Sequence, residues 1–354
     1  MNRRTFLQSA AAGPASLSGA ALGAQPSKPM VIDCQSHVFV PELISWMKTR
    51  RDPGHPYAYE KGGDTFVVVK DWVRKLQPRH TEITAKVSDM DEAGIHLTAL
   101  SINDPGPELF GKEGPAIARM VNDFVADCAR RFPGRFIGLS VLPLQDIRET
   151  EKELERCVNQ LGMKGVLLYS NLDGSFPDED RFQPLYGFAE KRGIPVLLHP
   201  AYPVTYEQTN GYQMAAGLGL MFDTTIALAR LILSGTLDRH PRLKLVCPHV
   251  GGALPYLVGR IDHQTQVLKR GAENITKAPS DYVRNITLDT VSPIAMAIRY
   301  GIDFVGVDRM IFSSDHPWVD PKLILSLIDS LQLSAEDRAK VLGGNAVRLF
   351  GLEG

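Results

Sequence analysis

The sequence predicts an α/β protein built as a (β/α)8 TIM barrel with a small hairpin inserted after the first strand. Eight short β-rich runs alternate with segments of helical periodicity, which is the pattern of parallel strands joined by helical crossovers. The first run ends in Gln35, Ser36 and His37, whereas an open doubly wound sheet normally has a glycine-rich phosphate turn at this point. The closed barrel is therefore favoured over the open sheet.

The eight runs are continuous apolar stretches, as expected of strands that are covered on both faces. In chain order they occupy residues 30–38, 97–102, 136–142, 165–169, 195–199, 243–249, 284–290 and 310–315. Between them, apolar side chains recur every three to four residues in the segments 117–128, 154–161 and 226–233, which predicts amphipathic helices.

One segment interrupts the alternation between the first strand and a helix predicted at 82–93. A turn at 62–64 followed by a strand at 65–70 predicts the inserted hairpin, on the catalytic side of the barrel. Trp72, Arg74 and Arg79 follow the turn and are candidates for a lid, although a packed excursion explains the segment equally well.

Composition excludes several classes of protein. The chain has 39 basic and 40 acidic residues, a formal net charge of −1 and 44% hydrophobic residues, values typical of a globular domain. A nucleic-acid binder would carry a basic excess, so none is expected. No membrane span is predicted after the N-terminal region. The four cysteines, Cys34, Cys128, Cys157 and Cys247, lie in apolar segments and are expected to be free thiols.

The N-terminus has the layout of an export signal. Arg3 and Arg4 precede Phe6 and Leu7, and a run of small and apolar residues then extends to Ala24. The arginine pair is typical of twin-arginine signals, so the export machinery of that type is an expected partner. Residues 1–24 are thus predicted to be removed, leaving the barrel at 30–354 as a periplasmic or extracellular protein.

Polar residues that can carry chemistry follow the predicted strands. His37, His199, His249 and His316 lie at or just beyond strand ends, and Asp315 ends the last strand. The C-terminal ends of barrel strands meet at one mouth, where catalytic groups are found. Imidazole nitrogens and a carboxylate form the ligand set of Zn²⁺ or a similar divalent ion.

The sequence around these positions resembles the amidohydrolase superfamily, in the amidohydrolase-related branch that includes aminocarboxymuconate-semialdehyde and γ-resorcylate decarboxylases. The resemblance extends from about residue 30 to 352. It rests on the segments at 32–37 (IDCQSH), 90–95 (MDEAGI), 182–186 (FQPLY), 194–200 (IPVLLHP), 231–235 (LILSG), 249–255 (HVGGALP), 260–262 (RID), 312–317 (FSSDHP) and 344–346 (GNA).

The resemblance implies a divalent metal, usually zinc, in the barrel. Position by position it makes His37, His199 and Asp315 metal ligands and His249 the acid/base residue beside them, with Asp315 also taking part in proton transfer. Gln35 stands where most members have a histidine. Its neutral oxygen would be a weaker ligand, so a metal-free reaction also stays open.

Three functions remain open at this point. The first is a metal-assisted decarboxylase acting on an aromatic or conjugated carboxylic acid. The second is a hydrolase of a lactone, ester or amide on the same site, and the third is an inactive exported binding protein. Each implies a small-molecule ligand, and the resemblance adds a possible homodimer. Arg74, Arg79 and Arg260 are the candidate partners for a substrate carboxylate.

Overall fold

In the computed structural model, which describes residues 30–50 and 54–353, eight parallel strands follow one another around a barrel in chain order. The predicted export signal at 1–24 lies outside the described residues. Counted with the insertion, the strands are β1 (Ile32–Val38), β2 (Tyr57–Lys61), β3 (Asp64–Val69), β4 (Trp72–Leu76), β5 (Leu97–Ile102), β6 (Phe136–Ser140), β7 (Gly165–Tyr169), β8 (Val196–His199), β9 (Leu245–Cys247), β10 (Thr287–Asp289) and β11 (Met310–Ile311).

Backbone hydrogen bonds join β1 to the segment 312–316, which follows β11. The Cys34 amide donates to the Phe312 carbonyl, the Asp315 amide to the Gln35 carbonyl, and the His37 amide to the His316 carbonyl. The predicted (β/α)8 barrel is therefore confirmed.

Helices connect the strands, and the periodic segments predicted as helices lie in α3, α4, α5 and α8. The α-helices are α1 (Pro41–Lys48), α2 (Pro78–Thr81), α3 (Ile83–Ala93), α4 (Gly114–Arg131), α5 (Ile147–Asn159), α6 (Gln183–Arg192), α7 (Tyr206–Thr209), α8 (Leu220–Leu233), α9 (Thr236–Arg239), α10 (Leu254–Asp262), α11 (Pro279–Val283), α12 (Ala295–Val305), α13 (Pro321–Ser330), α14 (Ala335–Ala339) and α15 (Asn345–Phe350). A π-helical turn, Ala215–Gly219, precedes α8.

Two apolar cores hold these layers together. The larger one lies between the strands and the surrounding helices. The smaller one fills the barrel and includes Ile32, Cys34 and Leu139 together with Leu349 and Phe350 of α15. Because Ile32 begins β1, α15 lies at the amino-terminal end of the barrel, opposite the mouth. All four cysteines are buried and free, as expected.

The insertion is a three-stranded antiparallel sheet in the order β2-β3-β4, one strand more than the predicted hairpin. The predicted strand at 65–70 corresponds to β3. The last three barrel strands are shorter than predicted. The chain has a positive φ at His249 (56°) and Val250 (55°), shortly after β9, and at Asp315 (63°), in the segment after β11.

The segment Ala215–Leu233 is long and apolar enough to cross a membrane by length and composition, and 44% of it is buried. Its buried side includes Leu228 and Leu231, which belong to the main core. Asp223 on the same segment accepts hydrogen bonds from Ser170 and Asn171 inside the protein. This segment thus packs against the barrel in the manner of a core helix.

Candidate active site

Four residues predicted from the strand ends come together at the mouth of the barrel. His37 Nε2 lies 3.1 Å from Asp315 Oδ1, and His199 Nε2 lies 3.9 Å from the same oxygen. His249 Nε2 lies 3.8 Å from the other oxygen, Asp315 Oδ2. The candidate ligand atoms of His37, His199 and Asp315 all lie within 4.8 Å of one another. The two carboxylate oxygens therefore have different neighbours: a histidine pair at Oδ1 and His249 at Oδ2.

The hydrogen bonds of the two histidines determine which ring nitrogen carries a proton. His199 Nδ1 lies 2.7 Å from the Pro200 carbonyl, which can only accept, so Nδ1 is protonated and Nε2 has a lone pair. His37 Nδ1 lies 2.9 Å from Ser101 Oγ, and that hydroxyl donates to the Ser36 carbonyl. His37 Nδ1 is thus also the donor, and burial lowers the pKa of His37 to about 4, which keeps it neutral.

Two imidazole lone pairs and a carboxylate oxygen consequently face one another. The Nε2 atoms of His37 and His199 are buried without a hydrogen-bond partner. Three acceptors at this separation repel one another unless a cation lies among them, and buried polar groups are rarely left unpaired. The donor set and the orphaned nitrogens fit a divalent metal ion, and the partners at Nδ1 hold the rings in orientation.

Gln35 is placed differently from the expected ligand. Its Nε2 donates to Asp315 Oδ1 over 3.3 Å, so the amide nitrogen, not the oxygen, faces the carboxylate. β1 reaches this arrangement through an irregularity, because its pairing register with β5 shifts between Asp33 and Ser36. Cys34 and Gln35 both line one small inner cavity. Cys34 is still a packing residue, as predicted.

His249 is held by an unusual turn. His249 and Val250 have positive φ, a conformation that is costly for a β-branched residue such as Val250. Asp289, at the end of β10, accepts the backbone amide of His249 over 2.7 Å and that of Val291 over 3.0 Å. Asp289 thus contacts the main chain of His249, not its imidazole.

Charges in the site favour a protonated His249 next to an ionised Asp315. Burial opposes both charges. For Asp315, the surrounding rings of His199, His249 and His37 outweigh burial and hold its pKa well below the usual range. For His249, Asp315 and Asp289 outweigh burial and raise its pKa. Burial raises the pKa of Asp289 itself to about 6.

His316 lies away from this group. Its Nδ1 is 2.6 Å from Lys86 Nζ, and its Nε2 is 2.8 Å from Asp89 Oδ2. Lys86 also donates to Ser36 Oγ over 2.7 Å and is almost fully buried. Lys86 ties the end of β1 to the segment after β11. This buried role of Lys86 could not be predicted from the sequence, because a lysine in an amphipathic helix is normally exposed.

A cavity of about 900 Å³ opens in front of His199, His249 and Asp315. Trp72 and Arg74 of the insertion line it, as a lid would. Arg79 and Arg260 are not among its lining residues.

The Arg74 guanidinium is bound by its own neighbours. Its Nη1 donates to Asn103 Oδ1 over 2.8 Å and to Asp104 Oδ1, and its Nη2 donates to Asp104 Oδ2 over 3.0 Å. Side-chain exposure is only 9% for Arg74 and 5% for Asp104. This buried pair forms one polar wall of the cavity.

Known proteins match nearly the whole of the barrel. A family model described as Amidohydrolase matches residues 32–352. Gamma-resorcylate decarboxylase of Rhizobium radiobacter is 34% identical over 301 residues, which is 80% of this chain and 92% of that protein. 2-Amino-3-carboxymuconate-6-semialdehyde decarboxylase of Dictyostelium discoideum is 28% identical over 288 residues, 79% of each chain.

A solved structure adds a bound metal to the comparison. The crystal structure of dihydroxybenzoic acid decarboxylase from Polaromonas sp. JS666 matches with a TM-score of 0.78 and 27% identity, covering 92% of this chain and 98% of that one. That crystal contains manganese and the inhibitor 2-nitroresorcinol. Its divalent ion agrees with the kind of cofactor expected here, whereas zinc stays a prediction.

Proposed function

Because the chain belongs to the amidohydrolase family, as its strand-end motifs predicted, we propose that it is a metal-assisted decarboxylase that removes CO₂ from an aromatic carboxylic acid. The observation that carries the proposal is the convergence of His37, His199, His249 and Asp315 on one buried point at the cavity. The related decarboxylases support the reaction type over the hydrolase and the inactive binding protein.

The metal ligands in this proposal are His37 Nε2, His199 Nε2 and Asp315 Oδ1, the three atoms left facing one another by the surrounding hydrogen bonds. When bound, a divalent ion supplies Lewis-acid stabilisation of negative charge on the substrate. Gln35 donates to Asp315 and fixes the orientation of the carboxylate. Metal analysis of the purified protein identifies the ion. Manganese would agree with the metal in the crystal of the Polaromonas decarboxylase, and zinc would agree with the preference of Zn²⁺ for histidine and aspartate ligands.

The remaining residues handle the proton. Decarboxylation breaks the bond between the ring and the carboxylate, and the electron pair left on the ring carbon takes up a proton. Asp315 and Asp289 raise the pKa of His249, which favours a protonated imidazole. We propose that this proton passes from His249 Nε2 through Asp315 Oδ2 to the ring carbon. The apolar walls limit water access to the developing charge.

The test measures CO₂ release by the mature protein, loaded with Mn²⁺ or Zn²⁺, from a panel of hydroxybenzoates. A parallel indicator assay follows acid release from lactones and esters. We expect CO₂ from at least one hydroxybenzoate and its loss after chelation. Ester or lactone turnover without CO₂ release would favour the hydrolase, and binding without turnover would favour the inactive protein.

We also propose that residues 1–24 direct export through the twin-arginine route, supported by Arg3 and Arg4 ahead of the apolar run. Export would leave the enzyme in the periplasm or outside the cell. Changing both arginines to lysine should leave the uncleaved protein in the cytoplasm of a bacterial host, as measured by fractionation and intact mass. Unchanged export of that variant would refute this route.

A homodimer is proposed from the surface near the cavity. Large apolar side chains are exposed in segments that also contribute to the lining, including Tyr212 (98%), Tyr256 (81%) and Met296 (76%). Exposed apolar groups of this kind commonly mark interfaces. Sedimentation equilibrium should give twice the chain mass, and Tyr256→Ser with Met296→Ser should weaken association. A monomer at micromolar concentration would contradict the proposal.

A further inference from the structure

The active-site cavity is large for a single substituted ring. Its volume is about 900 Å³, near the upper end of the range of about 300–1,000 Å³ that pockets for small molecules and drug-sized ligands occupy. Beyond the catalytic residues its walls are mainly apolar. They come from the turn before α8, from α8 and α10, and from the loops after β10 and β11, and include Leu220, Met221, Val250, Pro255, Pro293 and Val319.

Small residues enlarge the apolar part of the cavity. Ala216 and Gly217 of the π-helical turn, Ala253 before α10 and Ala297 of α12 all line it. Gly217 is exposed, and a Cβ added there would meet nothing within 4 Å, so this position of the lining has room for a larger side chain. A ligand that fills the cavity therefore needs apolar volume as well as a carboxylate.

The charges of the cavity limit the ligand in a second way. Among the described residues that line it, Arg74 is the only arginine, and no lysine is present. Asp104 accepts hydrogen bonds from both terminal nitrogens of Arg74, and Asn103 accepts a further hydrogen bond from Arg74 Nη1. A second carboxylate on the substrate would enter an apolar cavity without a free cationic partner, which is unfavourable.

We infer, resting on the proposed decarboxylase function, that the substrate is an aromatic monocarboxylic acid that carries a bulky apolar substituent. The carboxylate lies at the group formed by His199, His249 and Asp315, and the substituent occupies the apolar wall in front of Gly217. A small hydroxybenzoate leaves this volume unfilled, and a diacid places a charge there.

The experiment compares three acids: 2,6-dihydroxybenzoate, the same acid with a pentyl chain para to the carboxylate, and the same acid with a second carboxylate at that position. Each added methylene in an apolar pocket commonly changes kcat/KM by about tenfold or more. We expect the pentyl acid to exceed the parent at least tenfold in kcat/KM and the diacid to fall below the parent. If the kcat/KM of the parent acid or of the diacid equals that of the pentyl acid, the inference is overturned, while the decarboxylase function remains intact.

A matched pair of variants locates the substituent. Gly217→Phe adds a ring at a residue that lines the cavity, whereas Gly211→Phe adds the same ring outside the lining; both glycines are exposed, and an added Cβ meets nothing within 4 Å at either. The ratio of kcat/KM for the pentyl acid over the parent should fall at least tenfold in the first variant and stay unchanged in the second. Equal ratios in both variants would contradict the assigned position.

Binding gives a readout that is independent of turnover. Titration calorimetry of the same acids should rank the pentyl acid first in the wild type, and Gly217→Phe should remove that preference. If no acid releases CO₂, the decarboxylase function fails, while the calorimetric ranking still decides the ligand class. A wild-type protein that binds the parent or the diacid as tightly as the pentyl acid would refute the inference.

Discussion

Replacing Lys86 by methionine should change how the stability of the protein depends on pH. Burial lowers the pKa of Lys86 to about 7, although Asp33, Asp89 and Asp315 attract its charge. Unfolded lysine titrates near pH 10.4. Between these values the unfolded chain binds a proton that the native protein lacks, so the Lys86 contribution to the free energy of unfolding rises with pH.

The size of the effect follows from this difference in proton binding. The slope is about 1.4 kcal/mol per pH unit once the native amine is neutral, so the contribution grows by about 2 kcal/mol from pH 7 to pH 9. A methionine side chain at this position cannot titrate. The unfolding free energy of the wild type, measured relative to that of Lys86→Met, should therefore rise by about 2 kcal/mol from pH 7 to pH 9, whichever protein is the more stable at pH 7.

Urea unfolding at pH 7, 8 and 9 measures this difference, with Lys191→Met as the control. Lys191 is exposed on α6, so its replacement should leave the pH dependence of the wild type unchanged. If the unfolding free energies of the wild type and of Lys86→Met change equally with pH, Lys86 does not have a lowered pKa in the native protein, and the prediction is refuted.

The other predictions concern the reaction. Asp315→Asn keeps the shape but removes the charge and the proton acceptor, so kcat should fall at least ~10²-fold with an unchanged circular dichroism spectrum; full activity would contradict the mechanism. His199→Asn should lower both metal content and turnover, whereas His249→Asn should lower turnover alone, as measured by metal analysis and CO₂ release; metal loss in the second variant would contradict the assignment. Asp289→Asn removes a charge that raises the pKa of His249, so the alkaline limb of the kcat–pH profile should move to lower pH, and an unmoved limb would contradict this role.

Much of the fold could be predicted because parallel strands covered on both faces leave an unmistakable apolar pattern. The eight runs predicted the barrel and its strand order directly. β4 was missed because its sequence, WVRKL, mixes charged and apolar residues at the edge of a small sheet. The apolar pattern of the last strands continues into segments where the chain has a positive φ, at His249 after β9 and at Asp315 after β11, and sequence periodicity does not encode these angles.

The candidate site was only partly predictable for a similar reason. The strand-end rule placed His37, His199, His249 and Asp315 at one mouth, and distances bear out that convergence. The same rule also selected His316, but its ring instead contacts Lys86 and Asp89. The hydrogen bond that the Gln35 amide donates to Asp315 and the register shift of β1 beside it have no signature in the sequence.

In the proposed reaction, this site replaces the carboxylate of an aromatic acid with a proton at the same carbon. The most direct measurement is proton NMR of the reaction in D₂O with the metal-loaded protein and the hydroxybenzoate that releases CO₂ fastest. We expect a product with one deuteron at the carbon that carried the carboxylate and none introduced elsewhere by the enzyme. A panel of acids that all remain carboxylated, or a product without that deuteron, would contradict it.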